Sequence, residues 1–176
     1  MQCADVFFLK ADICQLGMDQ RKVNMLAREY AHTIKAEHPP VIVSHTMLMG
    51  LKEGQQKMSK SDPESAIFME DSKEDVTRKI RKAFCPPNVI ADNPVINYTQ
   101  YIIFPSLEGA PFNISRKAEY GGDVQFENFE KLRDAYVAGE LAPGDLKNAV
   151  TDRLNDLLEP VRSHFERDPY ARKLLA

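Results

Sequence analysis

Pro39-Pro40 followed by Val41-Ile42-Val43 is the feature that most limits what this chain can fold into. A double proline stops any helix that precedes it. That helix is legible upstream: Val23, Leu26, Ala27, Tyr30 and Ile34 recur at helical spacing and predict a helix over about 19–36. The wholly apolar run after the stop reads as a buried strand of a parallel sheet. Before the helix, residues 11–16 fit a strand leading to Gly17, while Val6-Phe7-Phe8-Leu9 fits either a buried strand or the apolar end of a short helix. Strand, helix, strand in this space is a βαβ unit. One such unit cannot cover both faces of a parallel sheet, and such sheets are nearly always buried. Further strands are therefore expected before Met1 or from a partner chain.

Residues 50–63 have a different character. Gly50, Gly54, Ser59, Ser61 and Pro63 interleave with Lys52, Lys57 and Lys60, which predicts a polar, flexible loop without a core stripe. Beyond it the chain turns helical. Ser72 is placed to cap a helix with Asp75 at the third position. Val76, Ile80, Ala83 and Phe84 line one face of that helix, and Pro86-Pro87 ends it. A second helix is predicted over 94–104, then a loop with Gly109, Pro111 and Gly121-Gly122. Phe126, Phe129, Leu132, Tyr136 and Val137 mark a third helix. Leu146, Ala149, Val150, Leu154, Leu157, Leu158, Val161 and Phe165 mark a long fourth, with Pro160 expected to kink it. The expected organisation is an α/β part over 1–72 and an all-α part over 73–176.

With 176 residues, 43% of them hydrophobic, the chain can build one compact domain or two small ones. A net charge of −3 and a pI near 5.8 exclude nucleic-acid binding through overall charge, so any RNA contact needs a local patch. Cys3, Cys14 and Cys85 form no CxxC pair and read as reduced thiols of a cytosolic protein, not as a disulfide framework or zinc site. No run of ~20 apolar residues suited to a membrane is present. The beginning, MQCADVFFLKAD, lacks a basic segment and does not read as a signal peptide. It starts abruptly in patterned sequence, which fits Met1 as an internal methionine of a longer protein.

Lys57-Met58-Ser59-Lys60-Ser61 carries the strongest chemical signal. Two lysines three apart on a glycine-flanked loop suit a mobile phosphate clamp, where ammonium groups meet charge developing on a leaving pyrophosphate. By composition alone such a loop is ordinarily just solvated. Gln2 and Asp5 would share a face on a helix. Gly17-Met18-Asp19-Gln20 reads as a strand-to-helix turn, where a glycine admits a ligand and a helix N-terminus favours an anion. Its plainer reading is a glycine turn with Asp19 as N-cap.

The pentapeptide resembles the KMSKS signature of class I aminoacyl-tRNA synthetases. The segment MQCADVFFLKADICQLGMDQRKVNMLARE resembles the tyrosine-binding region of the eukaryotic and archaeal tyrosyl-tRNA synthetases, more closely than the tryptophanyl enzymes. AFCPP, the Gly121-Gly122 loop and residues 143–165 are similar to the helical domain of that family. The resemblance implies the C-terminal portion of such an enzyme: the end of a Rossmann-like catalytic domain followed by an anticodon-binding domain.

It also implies roles. Gln2 would hold the α-amino group of tyrosine, Asp5 would accept from its phenol, and Gln20 would lie beside it. Gly17 and Asp19 would serve the ATP site, Asp19 on the ribose. Met47 and Leu48 would pack on adenine. Lys57 and Lys60, with Ser59 between them, would meet the phosphates. Tyr120 would stack on the first anticodon base and Asp145 would read it. Ala142 stands where the family commonly has a histidine, which puts one anticodon contact in doubt. ATP with Mg2+ is the implied co-substrate, no protein-bound metal is implied, and the implied partners are tyrosine and tRNA-Tyr. A cytoplasmic homodimer is implied for the full-length enzyme. The HIGH-type motif and the tyrosine expected just before Met1 are not in this sequence. The chain alone is therefore expected not to activate tyrosine. The rival readings are a non-catalytic tRNA-binding module and a pseudo-enzyme half of a dimer. For Tyr120 and Asp145 the plainer readings are a loop aromatic and a helix N-cap.

Overall fold

The computed structural model describes residues 1–59 and 61–174 and forms two compact units, Met1–Met47 and Leu48–Ala176. In the first, α1 (Gln2–Phe8) precedes β1 (Ile13–Gly17), a 3-10 turn (Met18–Gln20), α2 (Arg21–Thr33) and β2 (Val41–His45). The ambiguous start is thus a helix. β1 and β2 pair in parallel, Ile13 opposite Val41 and Gly17 opposite His45, as the βαβ reading requires. Ala27 and Ala31 of α2 are buried, and Phe7 meets Tyr30 edge to face at 5.5 Å.

The apolar strand departs from expectation. Val41 and Val43 remain 58% and 44% exposed, while Ile42 and Ser44 are half-buried. Alternate residues point to opposite faces of a strand. α2 packs against β1 on one side, where Cys14 Sγ approaches Asn24 Oδ1 at 4.0 Å. The face carrying Ile13, Val41 and Val43 has no helix of this unit over it. A run apolar on both faces signals a strand built for two-sided cover, and this unit supplies one side.

The second unit is helical. α3 (Lys73–Lys82) starts at Ser72, whose side chain accepts from the Asp75 amide at 3.1 Å and donates to its carboxylate at 2.8 Å. That is the anticipated cap. α4 (Pro94–Tyr98) continues through a π-helical turn (Thr99–Ile103) into α5 (Phe104–Ser106). Two short strands follow, β3 (Phe112–Ile114) and β4 (Val124–Phe126), paired antiparallel. They fall where only a loop was expected, and Phe126 belongs to β4 instead of a third helix. At three residues each they are too short to show a period-two pattern against their turns. α6 (Phe129–Val137), α7 (Pro143–Arg167) and α8 (Pro169–Leu174) complete the unit, and α7 is helical on both sides of Pro160.

One core joins these elements: Val76 and Ile80 of α3, Tyr98, Ile103, Ile114, Leu132 and Tyr136, and Leu146 and Val150 of α7 are each fully buried. Leu51 belongs to it at 2% exposure. The supposedly stripe-free loop is therefore rooted in the helical core. A single apolar residue in a polar segment carries no periodicity, which is why the root is invisible in sequence.

Candidate functional site

Gly17 ends β1, so it stands with His45 at the carboxyl edge of the two parallel strands. Ligands of open α/β sheets bind at this edge. A Cβ added to Gly17 would lie 2.3 Å from Met47 Sδ and 2.7 Å from Asp19 Oδ1. A side chain at position 17 would force Met47 and Asp19 to move, and Gly17, Asp19 and Met47 converge on one point of the first unit. Asp19 sits inside the 3-10 turn; the N-cap of that turn is Gly17 and the N-cap of α2 is Gln20. The plain capping reading of Asp19 is therefore not what the chain does. Gln20 closes the same turn and is half-buried. Gln2 and Asp5 lie three apart on the exposed side of α1, sharing a face.

Leu48, Lys57 and Ser59 belong to the second unit. Both polar groups of the Met49 peptide are held there: its N–H donates to Asn97 Oδ1 at 3.2 Å, and its carbonyl accepts from Tyr98 Oη at 3.0 Å. Burial pushes the Tyr98 hydroxyl well above the usual tyrosine range, so it stays a donor. Leu51 N donates to Ser65 O at 2.9 Å and Phe84 N donates to Leu51 O at 2.8 Å. Lys57 is exposed, while Met58 and Ser59 are half-buried and Met58 packs against the helical core. The apolar residue of the pentapeptide thus anchors it, and its first lysine faces water. Ser59 and Ser61 hydroxyls are 2.8 Å apart. Lys60, the second expected phosphate ligand, lies outside the described residues.

Tyr120 closes a 3-10 turn (Ala118–Tyr120) and is 63% exposed. Gly121 follows at φ +93°, a left-handed conformation that favours glycine. Asp145 is the third residue of α7; the N-cap is Ala142, which makes no side-chain cap bond. The plain N-cap reading of Asp145 is thereby corrected. Its carboxylate lies in the first turn, where it complements the helix dipole, and it is half-buried. No group of three or more His, Cys, Asp or Glu side chains suited to a metal occurs among the described residues, and no helix there is long and apolar enough to cross a membrane.

A family profile described as tRNA synthetases class I (W and Y) matches residues 1–159. The chain belongs to that family. Within it, the similarity is to tyrosyl-tRNA synthetases. A cytoplasmic tyrosine–tRNA ligase of Arabidopsis thaliana is 56% identical over 175 residues, 99% of this chain and 45% of its own length. The structure of a Leishmania major tyrosyl-tRNA synthetase in complex with tyrosinol superposes with a TM-score of 0.85 at 50% identity, covering 99% of this chain and 34% of that one. A Pyrococcus horikoshii tyrosyl-tRNA synthetase complexed with L-tyrosine gives 0.86 at 40% identity, over 98% of this chain and 53% of that one. The chain spans about half the length of these relatives or less. An α/β part followed by a helical part is the architecture it shares with these synthetases.

Three groups in this synthetase chain escaped the sequence reading. Asn97 and Tyr98 sit in what reads as an apolar helix, and nothing in the pattern tells that they grip Met49. Ser65 is a fully buried serine behind the KMSKS loop, disguised as one more polar loop residue. Arg116 is the third. Its Nε donates to Gly122 O at 2.8 Å, its Nη1 to Glu140 O at 2.9 Å, and its backbone N–H to Asp123 Oδ1 at 2.9 Å. It ties the Tyr120 turn to the connection that leads into α7 and Asp145. A lone arginine before a lysine gives no sequence signal for such a bridge.

Proposed function

We propose that this chain is the C-terminal portion of a tyrosine–tRNA ligase that activates tyrosine with ATP and transfers it to tRNA-Tyr. Residues 1–72 form the end of the catalytic domain with its KMSKS loop, and residues 73–176 form the anticodon-binding domain. The observation that carries the reading is the convergence of Asp19 and Met47 on Gly17 at the carboxyl edge of the parallel strands. The tyrosinol and L-tyrosine held by two similar synthetases support a tyrosine substrate.

In this reading Gln2 holds the α-amino group of tyrosine, Asp5 accepts from its phenolic hydroxyl, and Gln20 lies beside it. Asp19 binds the ribose, Gly17 admits the nucleotide, and Met47 and Leu48 pack on adenine. The tyrosine carboxylate attacks the α-phosphate and pyrophosphate leaves. No side chain acts as nucleophile, so catalysis is positioning and charge stabilisation. Lys57, with Lys60 and Ser59, meets the departing phosphates. Magnesium enters with ATP. Tyr120 stacks on the first anticodon base and Asp145 accepts hydrogen bonds from it. Kinship with a cytoplasmic plant ligase supports a cytoplasmic location for the full-length enzyme, and a homodimer is part of the same proposal.

The open face of the sheet supports a division of labour: the 176-residue chain supplies part of the site, and the HIGH-containing half belongs to a longer polypeptide. The test is tyrosine-dependent ATP–pyrophosphate exchange. The full-length protein should exchange and the isolated chain should not. Exchange by the isolated chain would overturn the division, and none by the full-length protein would overturn the activity.

A further inference from the structure

We propose that Ser65 is a positioning residue for adenylate formation, holding the KMSKS loop so that Lys57 presents its charge; this rests on the reading of the loop given above. Ser65 has 0% exposure. Its hydroxyl offers one proton and two lone pairs. The proton goes to Asp62 O at 2.6 Å, with Ser59 O at 3.3 Å as a second acceptor, and the oxygen accepts from Ser59 N at 3.3 Å. Three backbone groups of the 59–62 segment thus converge on one buried hydroxyl.

The same residue is fixed from the other side. Its N–H donates to Asp62 O at 2.9 Å, and its carbonyl accepts from Leu51 N at 2.9 Å. Leu51 is rooted in the helical core. A continuous path therefore runs from the core through Leu51 and Ser65 to Ser59, two residues from Lys57. Two other ties of the loop, Lys52 to Asp62 at 2.5 Å and Ser59 to Ser61 at 2.8 Å, are exposed and share their polar groups with water. An exposed lysine stabilises departing phosphate best when its backbone is held before the reaction, since no reorganisation is then needed. Removing the hydroxyl leaves the Ser59 amide and Asp62 carbonyl without their side-chain partner. The loop then spreads over more conformations and the competent fraction falls.

The experiment uses the full-length enzyme, with pre-steady-state adenylate formation and equilibrium tyrosine binding as readouts. Ser65→Ala should lower the rate of adenylate formation about tenfold, equivalent to about 1.4 kcal/mol, and leave tyrosine affinity within about twofold. Ser65→Cys keeps the shape and a weak donor, so its rate should fall between the two; it also serves if the alanine variant misfolds. In a Lys57→Ala background, Ser65→Ala should lower the rate by less than about threefold, because groups acting as one unit are not additive. Wild-type rates in either Ser65 variant, or an undiminished tenfold loss in the Lys57→Ala background, would overturn the proposal. If Lys57→Ala itself keeps the wild-type rate, the function assigned to the loop fails instead. A loss with Lys57→Ala and none with Ser65→Ala sinks only the positioning role.

Discussion

Lys79→Met tests what holds the segment after the KMSKS loop against the helices. Lys79 and Asp71 are buried, with side chains 4% and 10% exposed. The ammonium donates to both carboxylate oxygens, at 2.8 and 2.6 Å, and to Ala66 O at 3.0 Å, and it lies 4.8 Å from the Phe68 ring centre. Asp71 also accepts from Phe68 N at 2.9 Å, and its carbonyl accepts from Arg162 Nε of α7 at 2.8 Å. Methionine fills much of the lysine stem but leaves the carboxylate buried with one donor, Phe68 N. Stranding one member of a buried pair destabilises by roughly 3–5 kcal/mol. A unit of this size shifts its melting midpoint by about 4 °C per kcal/mol, so a fall of about 12–20 °C is expected. Lys79→Met with Asp71→Leu removes both charges. It should recover part of the loss, the remainder being about 1–3 kcal/mol for the Phe68 amide and the Ala66 carbonyl left without their partners. Thermal unfolding of the three proteins, with urea unfolding as a check, measures both numbers. A single variant within 1 °C or so of wild type would refute the reasoning, because no buried charge could then have been stranded. A double variant no better than the single one would refute the assignment of the loss to Asp71.

Lys57→Ala and Lys60→Ala in the full-length enzyme should each slow adenylate formation by about a hundredfold with little change in tyrosine affinity, the pattern of a group used in the transition state; stopped-flow activation assays check it. Asp5→Ala should reduce activation of tyrosine far more than that of phenylalanine, because in the proposed site its carboxylate would serve only the phenol; equal losses in pyrophosphate exchange would make Asp5 structural. Tyr120→Ala should weaken tRNA binding by about 1–3 kcal/mol whatever the first anticodon base, whereas Asp145→Ala should flatten the preference among first-base variants in charging assays. Tyr98 and Tyr136 both hold their protons above the usual range, chiefly through burial. Unfolded tyrosine titrates near about pH 10, so this stabilisation is complete below that pH and is lost as pH rises through it toward the folded values. Stability should fall by up to about 1.4 kcal/mol per pH unit for each tyrosine, and Tyr98→Phe should make the decline shallower in melts from about pH 8 to 11.

Legibility followed periodicity. α2, α3, α6 and α7 each carry several apolar residues at helical spacing and all four are helices in the structure, though α3 ends at Lys82, before Ala83 and Phe84, and α6 begins at Phe129, after Phe126. β1 and β2 were legible as a βαβ unit because Pro39-Pro40 separates two patterns of different period. β3 and β4 were not, because three residues cannot establish a repeat. Leu51 escaped for the same reason, though it decides that the loop has a fixed root. At the candidate site, Gly17 could be singled out as a turn glycine. That Met47 closes over it depends on a contact thirty residues away in sequence, which no local pattern encodes.

The same distinction explains why the capping readings failed. Asp19 and Asp145 each stand near the start of a helix, and an aspartate there is most often a cap. A cap requires the residue just outside the helix, with extended backbone and its side chain turned back to the N2 or N3 amide. At α7 that position falls to Ala142, at φ −73° and ψ 146°, because Pro143 supplies the first helical residue and has no amide to satisfy. Asp145 is thereby placed three residues past the N-cap, still in the first turn, with its carboxylate in the field of the helix N-terminus. Loss of such a charge affects stability by about 0.3–1 kcal/mol, less than loss of an N-cap bond can. A large effect of Asp145→Ala on tRNA discrimination, beside a small effect on melting, is therefore what this geometry requires of a reading residue. A stability loss with unchanged discrimination among anticodon variants would return Asp145 to a purely structural role.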